Sequence, residues 1–229
     1  RRHGARGRRA RAGRLDLGVI PTIAPYLLPR VLPAVRRSYP ELQLVLREDQ
    51  TARLLEQLAV GRLDLLLLAL PVEAAFVTEM TLFDEAFVLA APPDHPLARS
   101  ELISEGELED HSVLLLDEGH CLRDQALSVC QAAGAAESEV VRATSLTTLT
   151  HLVANGLGVT LLPEMALPAE ISTGQNISLR RFTEPQPSRK IGLLWRNSSP
   201  REKEFRLLGE LVTETVGQRC TTTTPATGT

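Results

Sequence analysis

Aromatic residues are scarce: one Trp, two Tyr and five Phe make up 3% of the 229-residue chain. A core must therefore be built from Leu, Val, Ile and Ala, and the 43% hydrophobic content supplies them. No phosphate-cradling glycine loop and no nucleophile elbow is present, which argues against nucleotide-dependent and serine-hydrolase chemistry. The apolar run Leu65–Leu70 is far too short to span a bilayer, so no membrane partner is expected. Leu15–Ile20 is interrupted by Asp16 and Gly18, so the arginine-rich start does not read as a secretory signal. With three cysteines and no export signal read, the chain is expected to be cytoplasmic, where thiols rest reduced.

The net charge of −3 hides an asymmetry. Residues 1–14 contain seven arginines and no acid, and setting them aside leaves −10 on the remainder. The folded part has no general attraction for nucleic acid. The basic arm 1–14 and the tail 217–229 are expected to be disordered, with Cys220 a bystander.

Between them, strand-like and helix-like segments alternate, the signature of an α/β fold. Strands are expected over Leu15–Ile20, Leu42–Arg47, Leu63–Leu70, Glu79–Asp84, Ala86–Ala91, Ser112–Leu116, Glu139–Ala143, Val159–Leu162, Ile177–Phe182 and Lys190–Trp195. Helices are expected from Pro25 to Ser38, from Thr51 to Gly61, over Leu122–Ala133, from Ser145 to Gly156, and over Glu202–Val216. Pro29 and Pro33 argue against a smooth first helix. Pro92, Pro93 and Pro96 are read as a crossing between two lobes. Lobe I covers residues 15–91 with the return of 195–216, and lobe II covers 92–194. A cleft between such lobes is a natural ligand site. The leucine-rich faces of Ala24–Ser38 and Ser145–Asn155 are the candidate partner surfaces.

The segment Gly119-His-Cys-Leu-Arg-Asp-Gln-Ala-Leu-Ser-Val-Cys130 carries the most chemistry. Cys121 and Cys130 are nine positions apart across a helix-forming stretch, which as a regular helix rises about 13.5 Å. A disulfide needs α-carbons within roughly 7 Å, so the helix must unwind before these thiols join. Cys121 stands at the helix start, beside His120 and Arg123, an arrangement expected to lower a thiol pKa. Such a thiol is convertible to sulfenic acid by peroxide, and Cys130 is the thiol that could capture it. The alternatives are two buried core cysteines, or a metal site. The spacing fits no common zinc pattern, and neither a metal nor a cofactor is expected. Thr22 and Thr51 follow the first two strands and so face the cleft. Their hydroxyls suit a small polar ligand such as hydrogen peroxide, against the plainer readings of a turn residue and a helix cap.

These residues resemble the effector domains of LysR-type transcriptional regulators, and within them the peroxide-sensing OxyR group. The resemblance runs from about Leu15 to about Val216. GHCLRDQALSVCQAAGA is its most specific motif, joined by GVIPTIAPYLLPRVLP and by the more widely shared RATSLTTLTHLVANGLGVTLLP. It implies two Rossmann-like lobes with a hinge, like a type 2 periplasmic binding protein. It also implies that Cys121 is the peroxidatic and Cys130 the resolving cysteine. Thr22 and Thr51 would hold peroxide and water, with His120, Arg123 and Asp124 around the thiol. Asp124 would act as general acid toward the leaving hydroxide.

Oxidation is then expected to rearrange residues 119–131 and alter a homodimer or tetramer. DNA and RNA polymerase would be met only through the full-length regulator, and a thiol reductant would reset the disulfide. The chemistry is stoichiometric, so no enzyme is expected. Two departures stand out. The family's winged helix-turn-helix is not recognisable in this chain, and a family histidine two residues before the Arg-Ala-Thr-Ser match is Val140 here. The alternatives are a metabolite-sensing LysR-type domain, a solute-binding protein and, less in keeping with the fold pattern, a thiol peroxidase.

Overall fold

The computed structural model describes residues 13–132, 134 and 136–220; side chains are described for these apart from 136–142 and 218–220. The basic arm up to residue 12 and the tail from 221 lie outside the described residues.

Three parallel strands open the fold: β1 (Gly13–Val19), β2 (Leu42–Glu48) and β3 (Leu65–Leu70), with β1 in the middle. Helices α1 (Ala24–Ser38) and α2 (Thr51–Ala59) make the crossovers. β3 reads LLLLAL and is buried at every position, as befits a central strand covered on both faces. α1 contains Pro29 and Pro33 and still runs through. Pro25, Pro29 and Pro33 are four residues apart and all exposed, so the lost helical hydrogen bonds lie on the solvent side, where water replaces them.

β4 (Val77–Ala91) is one continuous strand where the sequence suggested two segments. Residues Val77–Ala86 pair antiparallel with β10 (Ser188–Arg196), which also pairs with β3. Phe87–Ala91 instead pair with β8 (Thr160–Pro163) and β9 (Ser178–Phe182). The passage between strand sets thus falls inside β4, not at the Pro92–Pro96 cluster. The prolines follow the end of the strand, where a missing N–H costs no ladder bond.

The second set is completed by β5 (Leu102–Ile103), parallel to β9, and by β6 (Ser112–Leu116), parallel to β7 (Ala136–Ala143). A Val113–Val159 bridge ties β6 to the chain entering β8. α3 (Cys121–Ala132) links β6 to β7, and α4 (Leu146–Ala154) links β7 to β8. Ser145 caps α4 as expected, its Oγ accepting from Thr148 N at 3.2 Å. A short α5 (Leu167–Glu170) follows β8, and α6 (Glu202–Cys220) is the last described element, running past the expected boundary at 217.

The leucine-rich faces of α1 and α4 are not spare. Leu27, Val31 and Val35 of α1, and Leu146, Leu149 and Val153 of α4, are buried in the chain's own core. Each helix covers a sheet with its apolar stripe, while Leu28, Leu32 and Leu152 remain partly exposed.

Candidate functional site

The carboxyl ends of the parallel strands converge. β1 leads into the turn carrying Thr22, β2 leads to Thr51, and β3 brings Ala69. From the second set, β6 ends at Leu116 and the chain continues to Cys121, the first residue of α3. Strand ends facing a crevice are the usual ligand position in open α/β sheets. Gly119 lets the loop close in. Its φ is +89°, and a Cβ there would lie 2.7 Å from Gln50 Oε1. Gln50 Nε2 donates to Glu118 O at 3.5 Å, joining this loop to the start of α2.

Cys121 and Cys130 are both free thiols. Cys121 is half-buried, and burial pushes its thiol above the ordinary value of 9.0. The Arg189 guanidinium, the Thr51 hydroxyl and the Ala69 backbone oppose that shift, while the nearby Asp124 charge reinforces it. The helix start suggested a lowered thiol pKa; in the folded chain, burial is the largest influence and acts in the opposite direction. Thr51 is not the helix cap. Gln50 occupies that position, and Thr51 Oγ1 is buried without a hydrogen-bond partner of normal geometry among the described residues. The Cys121 thiol is the group it acts on.

Behind the thiol lies a buried ionic network. Arg189 and Glu85 are 2% and 4% exposed. Arg189 Nε donates to Glu85 Oε2 at 2.8 Å, Nη1 to Thr22 Oγ1 at 3.1 Å, and Nη2 to the Thr22 carbonyl at 2.9 Å. Glu85 Oε1 accepts from Met165 N at 2.9 Å. Full pairing is what makes a buried charge tolerable. It leaves the Thr22 hydroxyl free to donate, since its acceptor side faces Arg189.

The structure thus places Thr51 against the Cys121 thiol with the Arg189 and Asp124 charges nearby, and Thr22 joins through Arg189. His120 lines a cavity of about 400 Å³ that also touches Thr22. Arg123 is buried on the inward face of α3 with Leu122, Ala126 and Cys130, rather than standing in solvent beside the thiol. Cys130 is fully buried. Val140 falls among the residues whose side chains are not described. Arg189 and Glu85 were missed from the sequence. Each stands beside another charged residue of its strand, Lys190 and Asp84, so residue type alone did not single it out. Among the described residues, no three His, Cys, Asp or Glu side chains are grouped to hold a metal ion, and no helix is long and apolar enough to cross a membrane.

Two strand sets sharing a long strand, with parallel strand ends facing one cleft, define a two-lobed α/β domain of the type 2 periplasmic-binding-protein kind. The chain belongs to the LysR substrate-binding-domain family, whose model matches residues 8–217. A probable hydrogen peroxide-inducible genes activator of Mycobacterium avium is 49% identical over 210 residues, covering 91% of this chain and 67% of that protein. The DNA-binding transcriptional dual regulator OxyR of Escherichia coli K12 is 43% identical over 201 residues, covering 88% and 66%. The chain thus spans about two thirds of the length of the curated relatives it matches. Among solved structures, a hydrogen-peroxide-bound cysteine-to-serine variant of Corynebacterium glutamicum OxyR superposes with a TM-score of 0.85 at 39% identity, covering 90% of this chain and 66% of that one. The reduced and oxidised forms of OxyR superpose at 0.82 and 0.81, with 39% and 41% identity, each covering 91% of this chain and 98% of the other.

Proposed function

We propose that this chain is the redox-sensing and dimerisation domain of a cytoplasmic, peroxide-responsive transcription regulator. The observation that carries the reading is the contrast within α3. A half-buried thiol at its first residue faces Thr51 and Arg189, and a fully buried thiol lies nine positions on in the same helix.

In the proposed reaction the Cys121 thiolate attacks one oxygen of hydrogen peroxide. An S–O bond forms, the O–O bond breaks, and hydroxide leaves. Asp124 as general acid, or solvent, supplies the proton that makes it water. Sulfur loses two electrons and peroxide gains them. Thr22 and Thr51 hydroxyls orient the peroxide; Arg189 stabilises the thiolate; His120 and Arg123 shape the loop. The Cys130 sulfur then displaces the sulfenic oxygen, which leaves as water, and the disulfide forms. One peroxide is consumed per disulfide, and an external thiol reductant resets the protein, so it acts as a sensor rather than an enzyme.

The lobes divide where β4 passes from β10 to β8 and β9. The remaining third of the relatives' length would carry the DNA-binding domain. The disulfide would change the arrangement of a homodimer or tetramer, and with it contacts to DNA and RNA polymerase. Mass spectrometry after one equivalent of hydrogen peroxide tests the chemistry. A Cys121–Cys130 crosslink with loss of two hydrogens is the expected product. An unchanged mass contradicts the reading and favours a metabolite sensor of the same family.

A further inference from the structure

The cavity beside the thiol site is far larger than a peroxide molecule. It measures about 400 Å³ and touches Thr22 and His120, the residue before Cys121. A water molecule occupies roughly 30 Å³ in the liquid. Tyr26, Ser145 and Thr147 give the wall hydroxyl groups, and its two carboxylates are Glu48 and Glu170. Glu170 is held in place, because Tyr26 Oη donates to its Oε1 at 2.6 Å. Glu48 ends β2 and is exposed. Among the described residues, the one basic side chain in the wall is His120. Arg189 lies behind Thr22 and is paired with Glu85 at 2.8 Å, so this buried pair is neutral as a whole and leaves the two wall carboxylates uncompensated. An oxidant entering here meets a net negative wall.

We propose that this cavity is the approach to Cys121 and that Glu48 and Glu170 make it charge-selective. It admits neutral hydroperoxides and repels anionic oxidants. The inference rests on the peroxide reading above and adds to it a substrate class. The chemical step is the same for either oxidant. The thiolate sulfur takes the terminal peroxide oxygen and the O–O bond breaks. The leaving group is hydroxide from hydrogen peroxide, or sulfate from peroxymonosulfate, a monoanion at neutral pH. Discrimination arises from the work of bringing a second negative charge past two carboxylates in a partly desolvated space.

Rapid-quench mass spectrometry gives second-order rate constants for Cys121 oxidation by hydrogen peroxide and by peroxymonosulfate. The unmodified chain, Glu48→Gln, Glu170→Gln and the double variant are compared. The readout is the ratio of the peroxymonosulfate constant to the hydrogen peroxide constant, which cancels any change in the thiol itself. The ratio is expected to rise roughly three- to six-fold per variant and to compound in the double variant. In Glu170→Gln the new amide oxygen still accepts from Tyr26, so the wall keeps its geometry. A second arm needs no variant. In the unmodified chain, added salt raises the peroxymonosulfate constant and leaves the hydrogen peroxide constant level. A ratio that stays flat in folded variants, or is independent of salt in the unmodified chain, overturns the proposal. Failure of hydrogen peroxide itself to oxidise Cys121 overturns the underlying reading as well, and is recognised because no ratio exists to compare.

Discussion

The two cysteines occupy opposite ends of α3, and their surroundings differ. Cys121 opens the helix, half-buried, against a hydroxyl, a backbone group and a guanidinium. Cys130 is fully buried among Leu122, Ala126 and the rest of the inward face. The first end is arranged for chemistry and the second for packing. To meet Cys121, Cys130 must leave the core, and the helix between them must give up its turns. Exposing the buried apolar surface of those turns costs about 25 cal/mol per Å². On the proposed reading the reduced state would hold its shape until covalent chemistry at the first end offsets that loss, and local stability as well as thiol reactivity would set when the helix gives way.

Separating the two ends by substitution gives the largest effect. Cys121→Ser is expected to abolish the peroxide-dependent mass change. Cys130→Ala keeps the first step and stops there, leaving a sulfenic acid that a dimedone label captures, with no crosslink. Equal labelling in both variants would erase the distinction between the ends.

Arg189→Met comes next, because it strands Glu85 as an unpaired buried carboxylate. A stability loss of about 3–5 kcal/mol is expected in urea titration. Adding Glu85→Gln to Arg189→Met should recover part of it, since the abandoned charge is then gone.

Thr51→Val sharpens the account of the first end. Removing a hydroxyl that favours the thiolate should cost about 1 kcal/mol, or roughly five-fold in oxidation rate at a given pH. The pH profile carries a sign of its own. The thiol lies above 9.0 in the folded chain and the thiolate is the reactive form, so the oxidation rate should keep rising through pH 9.0. Folding stability moves the other way. Above the ordinary thiol range the unfolded chain has released this proton while the folded chain retains it, so stability falls as pH climbs. A rate that levels off near neutrality would show that burial does not dominate.

The smallest effect probes the helix between the ends. Ser128 is exposed on α3, and its Oγ donates to Gln125 O at 2.7 Å. Ser128→Ala should strengthen the helix by about 0.5 kcal/mol and Ser128→Gly weaken it by a similar amount. Disulfide closure would then slow or quicken about two-fold, with the first oxidation step unchanged.

Much of this arrangement was legible in the sequence, for a physical reason. The spacing of Cys121 and Cys130 is a local property, and so are the Ser145 cap and the apolar run of β3. The missed features are long-range. Glu85 and Arg189 are 104 positions apart, and Arg189 lies 167 from Thr22. Asp84 and Glu85 interrupted the strand pattern and made β4 read as two pieces. Glu85 is tolerated inside a continuous strand because Arg189 neutralises it. The residue that obscured the fold is thus part of the site. Thr51 was legible as a site candidate, but only the folded chain shows its hydroxyl turned from helix capping to the thiol.

Crosslinking Cys121 to Cys130 and keeping α3 helical exclude one another. Hydrogen exchange across residues 121–132, followed before oxidation, after one equivalent of hydrogen peroxide and after reduction, reads this exclusion. Amide protection should disappear as the crosslink forms and return when it is reduced. A crosslinked chain whose α3 amides remain protected would overturn it.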